Sequence, residues 1–166
     1  MKLLTAFIIG SIGLPLLIVL VGILGFLPST ATSEPPGIET SIGMRALDAS
    51  LERRSEGLKN PIAANDKTAL AAGQKLYADG CAGCHGDAKE PSEWGSKGFY
   101  PRVPQFFQDG SDVKPEEAYV AIHDGIRYSG MGAWRDIMKP DDMWKVANFV
   151  ASIRAPGGKK MEKDTD

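Results

Sequence analysis

Cys81 and Cys84 stand on either side of Ala82-Gly83, and His85 follows at once, in the run Cys81-Ala82-Gly83-Cys84-His85. A C-x-x-C-H run reads as a c-type haem attachment site. Its two thiols can add to the vinyl groups of a haem and form two thioether bonds. The imidazole of His85 is then carried under the same ring, where it binds the iron from the proximal side. Ala82 and Gly83 are small enough for the tight backbone curl this demands. Two other chemistries use similar residues. A zinc site needs four ligands. The chain holds only two cysteines and two histidines, so Cys81, Cys84, His85 and His123 would all have to serve, and neighbouring Cys84 and His85 fit a tetrahedron poorly. A thioredoxin-like pair follows a buried strand and opens a helix. This pair follows a helix-like stretch and precedes Gly86-Asp87. One covalently attached haem c is therefore the expected cofactor.

An iron held by His85 needs a partner on its other face. Thioether sulfur is a soft ligand, and Met/His ligation raises the reduction potential. The candidate methionines downstream of the motif are Met131, Met138 and Met143. Met143 fits that stripe, where methionine is ordinary core filling, and Met138 sits at the helix entrance beside Lys139-Pro140. Met131 lies in Ser129-Gly130-Met131-Gly132-Ala133-Trp134, and glycines on both sides let the backbone pass close to a flat ring. Met131 is the expected distal ligand. His123 is the bis-histidine alternative, but beside Asp124 near a helix end it reads as a surface residue. The second nitrogen of a ligating histidine needs an acceptor. A carbonyl of the proline-rich loop, that of Pro104, is expected for His85, with Phe106 covering the haem face nearby. Trp134, Tyr128 and Arg127 flank the Met131 loop as candidate donors to the haem propionates; for Arg127 a surface salt bridge is the alternative.

These residues must be held by helices. A helix from about Asn65 to Asp79 leads to the motif, capped by Asn65 or Asp66, with Leu70, Gly73, Leu76 and Tyr77 inward and Gly80 as its stop. The loop after His85, with Pro91, Gly95, Gly98, Pro101 and Pro104, argues against helix or long strand. A second helix begins at Lys114-Pro115-Glu116-Glu117, with proline in the first turn and acid at the positive end. Tyr119, Ile122 and Ile126 face inward, and Gly125 closes it. The last helix runs from about Pro140 to Arg154, with Met143, Val146, Ala147, Val150 and Ile153 as its apolar stripe.

Upstream, the run from Leu3 to Leu27 carries no charge. As a helix it spans about 37 Å, enough for the roughly 30 Å hydrocarbon core of a bilayer. An uncleaved transmembrane anchor over residues 1–27 is expected. A removed signal peptide is the alternative, with Ser29-Thr30-Ala31 as a small-residue cleavage site. Residues 28–64 read as a linker, rich in Pro, Ser, Thr and Gly to about Ser41, with a short amphipathic helix between Gly43 and Leu58 that ends at Asn60-Pro61. That helix either rests on the haem domain or docks a partner subunit. The haem domain is expected over 65–156, and a disordered charged tail over 157–166. The formal net charge of −2 gives no broad pull on nucleic acid, and no cysteine is left over for a disulfide.

The motif and its surroundings resemble the class I c-type cytochromes. Gly73 and Tyr77 precede Cys81 as the small and aromatic residues of that family's first helix do. Val146-Ala147-Asn148-Phe149-Val150 is similar to its last-helix crossing segment, and Gly130-Met131-Gly132-Ala133-Trp134 to its distal loop, with Gly132 where proline is common. A narrower resemblance, to bacterial membrane-anchored monohaem cytochromes c, rests on Phe99-Tyr100-Pro101-Arg102-Val103-Pro104, on Gly125-Ile126-Arg127-Tyr128-Ser129-Gly130-Met131, and on Arg53-Arg54 followed by Asn60-Pro61-Ile62. The resemblance implies an all-α fold of three main helices around one covalent haem, behind an N-terminal transmembrane helix. It implies an electron carrier, not an enzyme, on the periplasmic side of a bacterial inner membrane, anchored in lipid and exchanging single electrons with membrane-associated redox proteins. Two alternatives stay open: a haem-bearing subunit of a larger membrane oxidoreductase, and a haem enzyme or gas sensor with an open distal site.

Overall fold

The computed structural model describes residues 2–27, 29–63 and 65–156, with backbone alone over 2–9. The described residues form eight helices and no strand. They divide into two units, Met1–Thr30 and Ala31–Asp166. The first unit holds α1 (Lys2–Ile23), with Pro15 inside it. Among the described residues no helix is long and apolar enough to cross a membrane, so the anchor expected over 1–27 gains no support from the fold. The tail expected over 157–166 lies outside the described residues.

The second unit contains α2 (Gly37–Ser55), α3 (Lys67–Gly80), the single turn α4 (Ala82–His85), α5 (Glu93–Gly98), the single turn α6 (Phe106–Asp109), α7 (Pro115–Asp124) and α8 (Pro140–Ser152). Local chemistry explains the three main helices. Asp66 caps α3 by accepting from the N–H groups of Thr68 and Ala69, both at 3.0 Å. Pro115 and Pro140 open α7 and α8 with φ already set and no N–H to lose. The Glu117 carboxylate reaches back to the Lys114 N–H at 3.2 Å, and α8 carries Asp141 and Asp142 in its first turn.

The core forms where α8 packs on both α3 and α7. Met143, Val146, Ala147 and Val150 follow the helical period of α8 and are all buried. Tyr77 of α3 meets the Phe149 ring edge-on at 5.4 Å and that of Phe107 at 5.8 Å. α3 and α8 cross at Gly73, where a Cβ would run into the Lys145 carbonyl and approach Phe149 Cβ to 3.0 Å. Gly73→Val should therefore force the two helices apart. The expected loss is about 3 kcal/mol, seen as a melting temperature lower by roughly 10 °C.

The fold departs from the sequence expectations in two places. The proline-rich loop does contain a helix, α5, because the Ser92 hydroxyl caps it by accepting from the Gly95 N–H at 3.0 Å. α2 starts at Gly37, inside the stretch read as linker, directly after Pro36. As expected, α3 ends at Gly80, just before the motif, and Cys81 caps it: the Cys81 N–H bonds to the Tyr77 carbonyl at 2.8 Å. Gly80 also makes room, since a Cβ there would sit 3.0 Å from the Trp134 ring.

Candidate haem site

α4 is the motif itself. The N–H groups of Cys84 and His85 both bond to the Cys81 carbonyl, at 3.1 and 2.9 Å, which winds the motif into one turn. Cys81 and Cys84 are free and half-buried. Burial, with Cys84 adding to it, pushes the Cys81 thiol up to about 11, so it is protonated at neutral pH. Gly86 ends the turn at φ +72°, where a side chain would be strained. The Tyr77 hydroxyl donates to the Gly86 carbonyl at 2.9 Å. Burial, with Cys81 and Asp87 nearby, pushes that hydroxyl far up, so it keeps the proton it donates. Asp87 then closes the following turn, accepting from the N–H groups of Lys89 and Glu90 at 2.7 and 3.1 Å.

After the motif turn, His85 Nδ1 lies 3.0 Å from the Pro104 carbonyl oxygen. As the hydrogen-bond donor, Nδ1 leaves Nε2 as the nitrogen with a free lone pair. Burial lowers the pKa of the imidazole, against the opposing effect of the Pro104 bond, so the neutral form prevails. Phe106 stacks on this ring, with centroids 4.9 Å apart and planes within 10°.

The residue holding this loop in place is one that sequence reading passed over. Gln105 is buried, at 7% exposure. Its Nε2 donates to the carbonyls of Cys84 and Val103 at 3.0 and 2.9 Å, and its Oε1 accepts from the Ser92 N–H at 2.7 Å. The Ser92 hydroxyl in turn donates to the Gly83 carbonyl at 2.6 Å. A glutamine between Pro104 and Phe106 reads as a surface residue; its place between two expected site residues was the only available signal. Arg102 is the second omission. Its NH1 lies 2.7–2.9 Å from the carbonyls of Ala31, Lys97 and Phe99.

On the other side, Met131 and Trp134 pack against the same core as Cys81, Ala82 and Phe106. Met131 is pinned at both backbone groups: its N–H donates to the Ser129 hydroxyl at 3.1 Å, and its carbonyl accepts from the Ile126 N–H at 3.0 Å. The Trp134 N–H donates to the Ile122 carbonyl at 3.0 Å. Met143 is wholly buried in the core and Met138 is half-buried. His123 Nδ1 lies 2.7 Å from Asp124 Oδ1, and its ring stacks on Tyr119. The structure does not gather every candidate. Arg127 and Tyr128 are exposed, Tyr128 at 89% and with φ +61°.

The donors fit a covalent haem: two free thiols on one helical turn, an oriented neutral imidazole, and a thioether loop packed on the same core. A protein-family model described as cytochrome c oxidase, cbb3-type, subunit III, matches residues 68–150. The chain belongs to that family. It is a class I c-type cytochrome, an electron-transfer protein that carries covalently bound haem c. Among solved structures, the crystal structure of cytochrome CL from the marine methylotrophic bacterium Methylophaga aminisulfidivorans is similar at 24% identity and a TM-score of 0.41. The match covers 54% of this cytochrome, which spans about half of that chain, 55%. No curated protein matches this cytochrome.

Proposed function

We propose that this cytochrome is a membrane-tethered, single-haem carrier that passes single electrons between membrane-associated redox proteins on the periplasmic side. His85 and Met131 would be the side chains that hold its haem iron. The observation that carries the ligand reading is the 3.0 Å contact of His85 Nδ1 with the Pro104 carbonyl, which aims the remaining nitrogen at an iron. The bound haem supplies the one-electron couple. The protein contributes a fixed setting: Tyr77 and Gln105 hold the attachment turn, Phe106 backs His85, and pinned backbone holds Met131. With His85 and Met131 both bound, the iron would have no position left for a substrate, which separates a carrier from an enzyme or gas sensor. Trp134 is the better-placed propionate donor of the three candidates; Arg127 and Tyr128 must swing in from solvent to serve.

The tether rests on the uncharged run Leu3–Leu27 and on the helical backbone of α1. A tether raises the effective concentration of the haem near membrane partners. The test is made on isolated membranes. After a high-salt wash the chain should remain, with Met1 or Lys2 at its N-terminus. Its haem should take up and return one electron per chain and bind no carbon monoxide when reduced. A soluble protein beginning near Thr32 means a removed signal peptide, and ready carbon monoxide binding means an open distal site.

The family description favours a second reading, since it names an oxidase subunit. In that case the chain is a haem-bearing part of a larger membrane oxidoreductase, and purification in mild detergent should bring the other subunits with it.

A further inference from the structure

Asp124 ends α7 and gathers partners from three parts of the chain. Its Oδ2 lies 3.1 Å from NH1 of Arg54, on α2. Its Oδ1 lies 2.7 Å from His123 Nδ1 and 3.7 Å from NH1 of Arg135, which directly follows Trp134. Arg135 is shared with Asp136, 3.8 Å from its Nε. The Arg54 side chain is two-thirds covered, and its Nε is shut off from solvent with no partner of its own. Water therefore screens its pair with Asp124 less than an ordinary surface ion pair.

The backbone beside Asp124 is the backbone that holds the distal loop. Gly125 has φ +70°, and a Cβ there would come within 2.8 Å of the Met131 carbonyl oxygen and of Gly132 C. The Ile126 N–H donates to that same Met131 carbonyl. On the other side of Asp124, the carbonyls of Ile122 and His123 accept from the N–H groups of Trp134 and Arg135, at 3.0 and 3.3 Å. Backbone bonds to residues 131–135 thus straddle Asp124, so a displaced Asp124 drags the Met131 loop with it.

We propose that Asp124 is a positioning residue for the distal ligand: Arg54 of the N-terminal extension, acting through Asp124, holds the Met131 loop closed over the iron. This rests on the reading of Met131 as ligand and gives α2 a part in the iron site.

The test uses the full-length holoprotein in the ferric state, with added imidazole as the probe. Imidazole binds the iron only when Met131 lets go, so its apparent affinity reports loop opening. Arg54→Gln and Asp124→Asn should each raise that affinity by about threefold to tenfold, and Arg54→Lys should restore most of the wild-type value. Should Asp124→Asn fail to fold, the two Arg54 variants, on α2 and away from the core, carry the test. Met131→Ala serves as the control on the ligand. If the wild type lacks the weak near-infrared sulfur-to-iron band, or Met131→Ala keeps it, the ligand reading fails. If that band behaves as expected while Arg54→Gln binds imidazole like the wild type, the positioning role is overturned. A lowered melting temperature with unchanged imidazole affinity overturns it equally, because it makes the contact merely structural.

Discussion

Replacing Cys81 and Cys84 together with alanine will leave this cytochrome with no haem that survives acidified-solvent extraction, whereas the wild type will keep all of its haem on the protein. The structure gives the reason in its one-turn α4, where both thiols are free and spring from the same helical turn. A haem then held only by ligation and packing exchanges with solvent. Because bound haem stabilises the folded state by mass action, its loss should cost about 3–4 kcal/mol, the contribution of a ligand held at a hundred to a thousand times its Kd. Extraction followed by absorbance of the aqueous and organic phases reads the first effect, and thermal melting reads the second. Haem that passes into the organic phase from the wild type would sink the covalent assignment.

The second large effect is at Met131. Met131→Ala should abolish the near-infrared sulfur-to-iron band, open the reduced haem to carbon monoxide, and lower the reduction potential. The drop should be on the order of 0.1–0.3 V, a fraction of the roughly 0.8 V over which axial ligands set haem potentials. His123→Ala should keep the band and leave the reduced haem closed to carbon monoxide, since the His123 ring is engaged with Asp124 and Tyr119. A Met131→Ala protein that keeps the band and stays closed to carbon monoxide would move the ligand to another residue.

Much of this molecule was legible in the sequence because its chemistry is local. Five consecutive residues name the cofactor, and the stripe expected along the last helix is buried throughout, whereas of the expected inner faces α3 buries Gly73 and Tyr77 and α7 buries Ile122. Caps were legible for the same reason: Asp66, Pro115, Gly125 and Pro140 act within one turn of themselves. What stayed hidden is held by side chains reaching far along the chain. Gln105 reaches back to Cys84 and Ser92, Arg54 forward to Asp124, and Arg102 back to Ala31. Nothing in a residue's own neighbours marks such a partner. The short α5 was missed because its prolines and glycines outweighed one capping serine. Arg127 and Tyr128 were chosen for their type and closeness to Met131, and neither property fixes where a loop tip points.

One pair of amides bears on where this protein begins. Asn60 and Asn148 bond to each other reciprocally, at 2.8 and 3.1 Å, and Asn148 also donates to the Trp144 carbonyl within α8. Asn148 is buried, at 5% exposure. Cutting the chain at Asn65, where the haem domain is expected to start, would strip this buried amide of a partner and also remove Arg54 and the Ala31 carbonyl. A buried polar group left unpaired costs about 1–3 kcal/mol. The piece that can be lifted out intact is thus longer than the piece that resembles its relatives. Anyone transplanting this haem onto another protein has to move the collar along with the jewel, starting no later than Ala31.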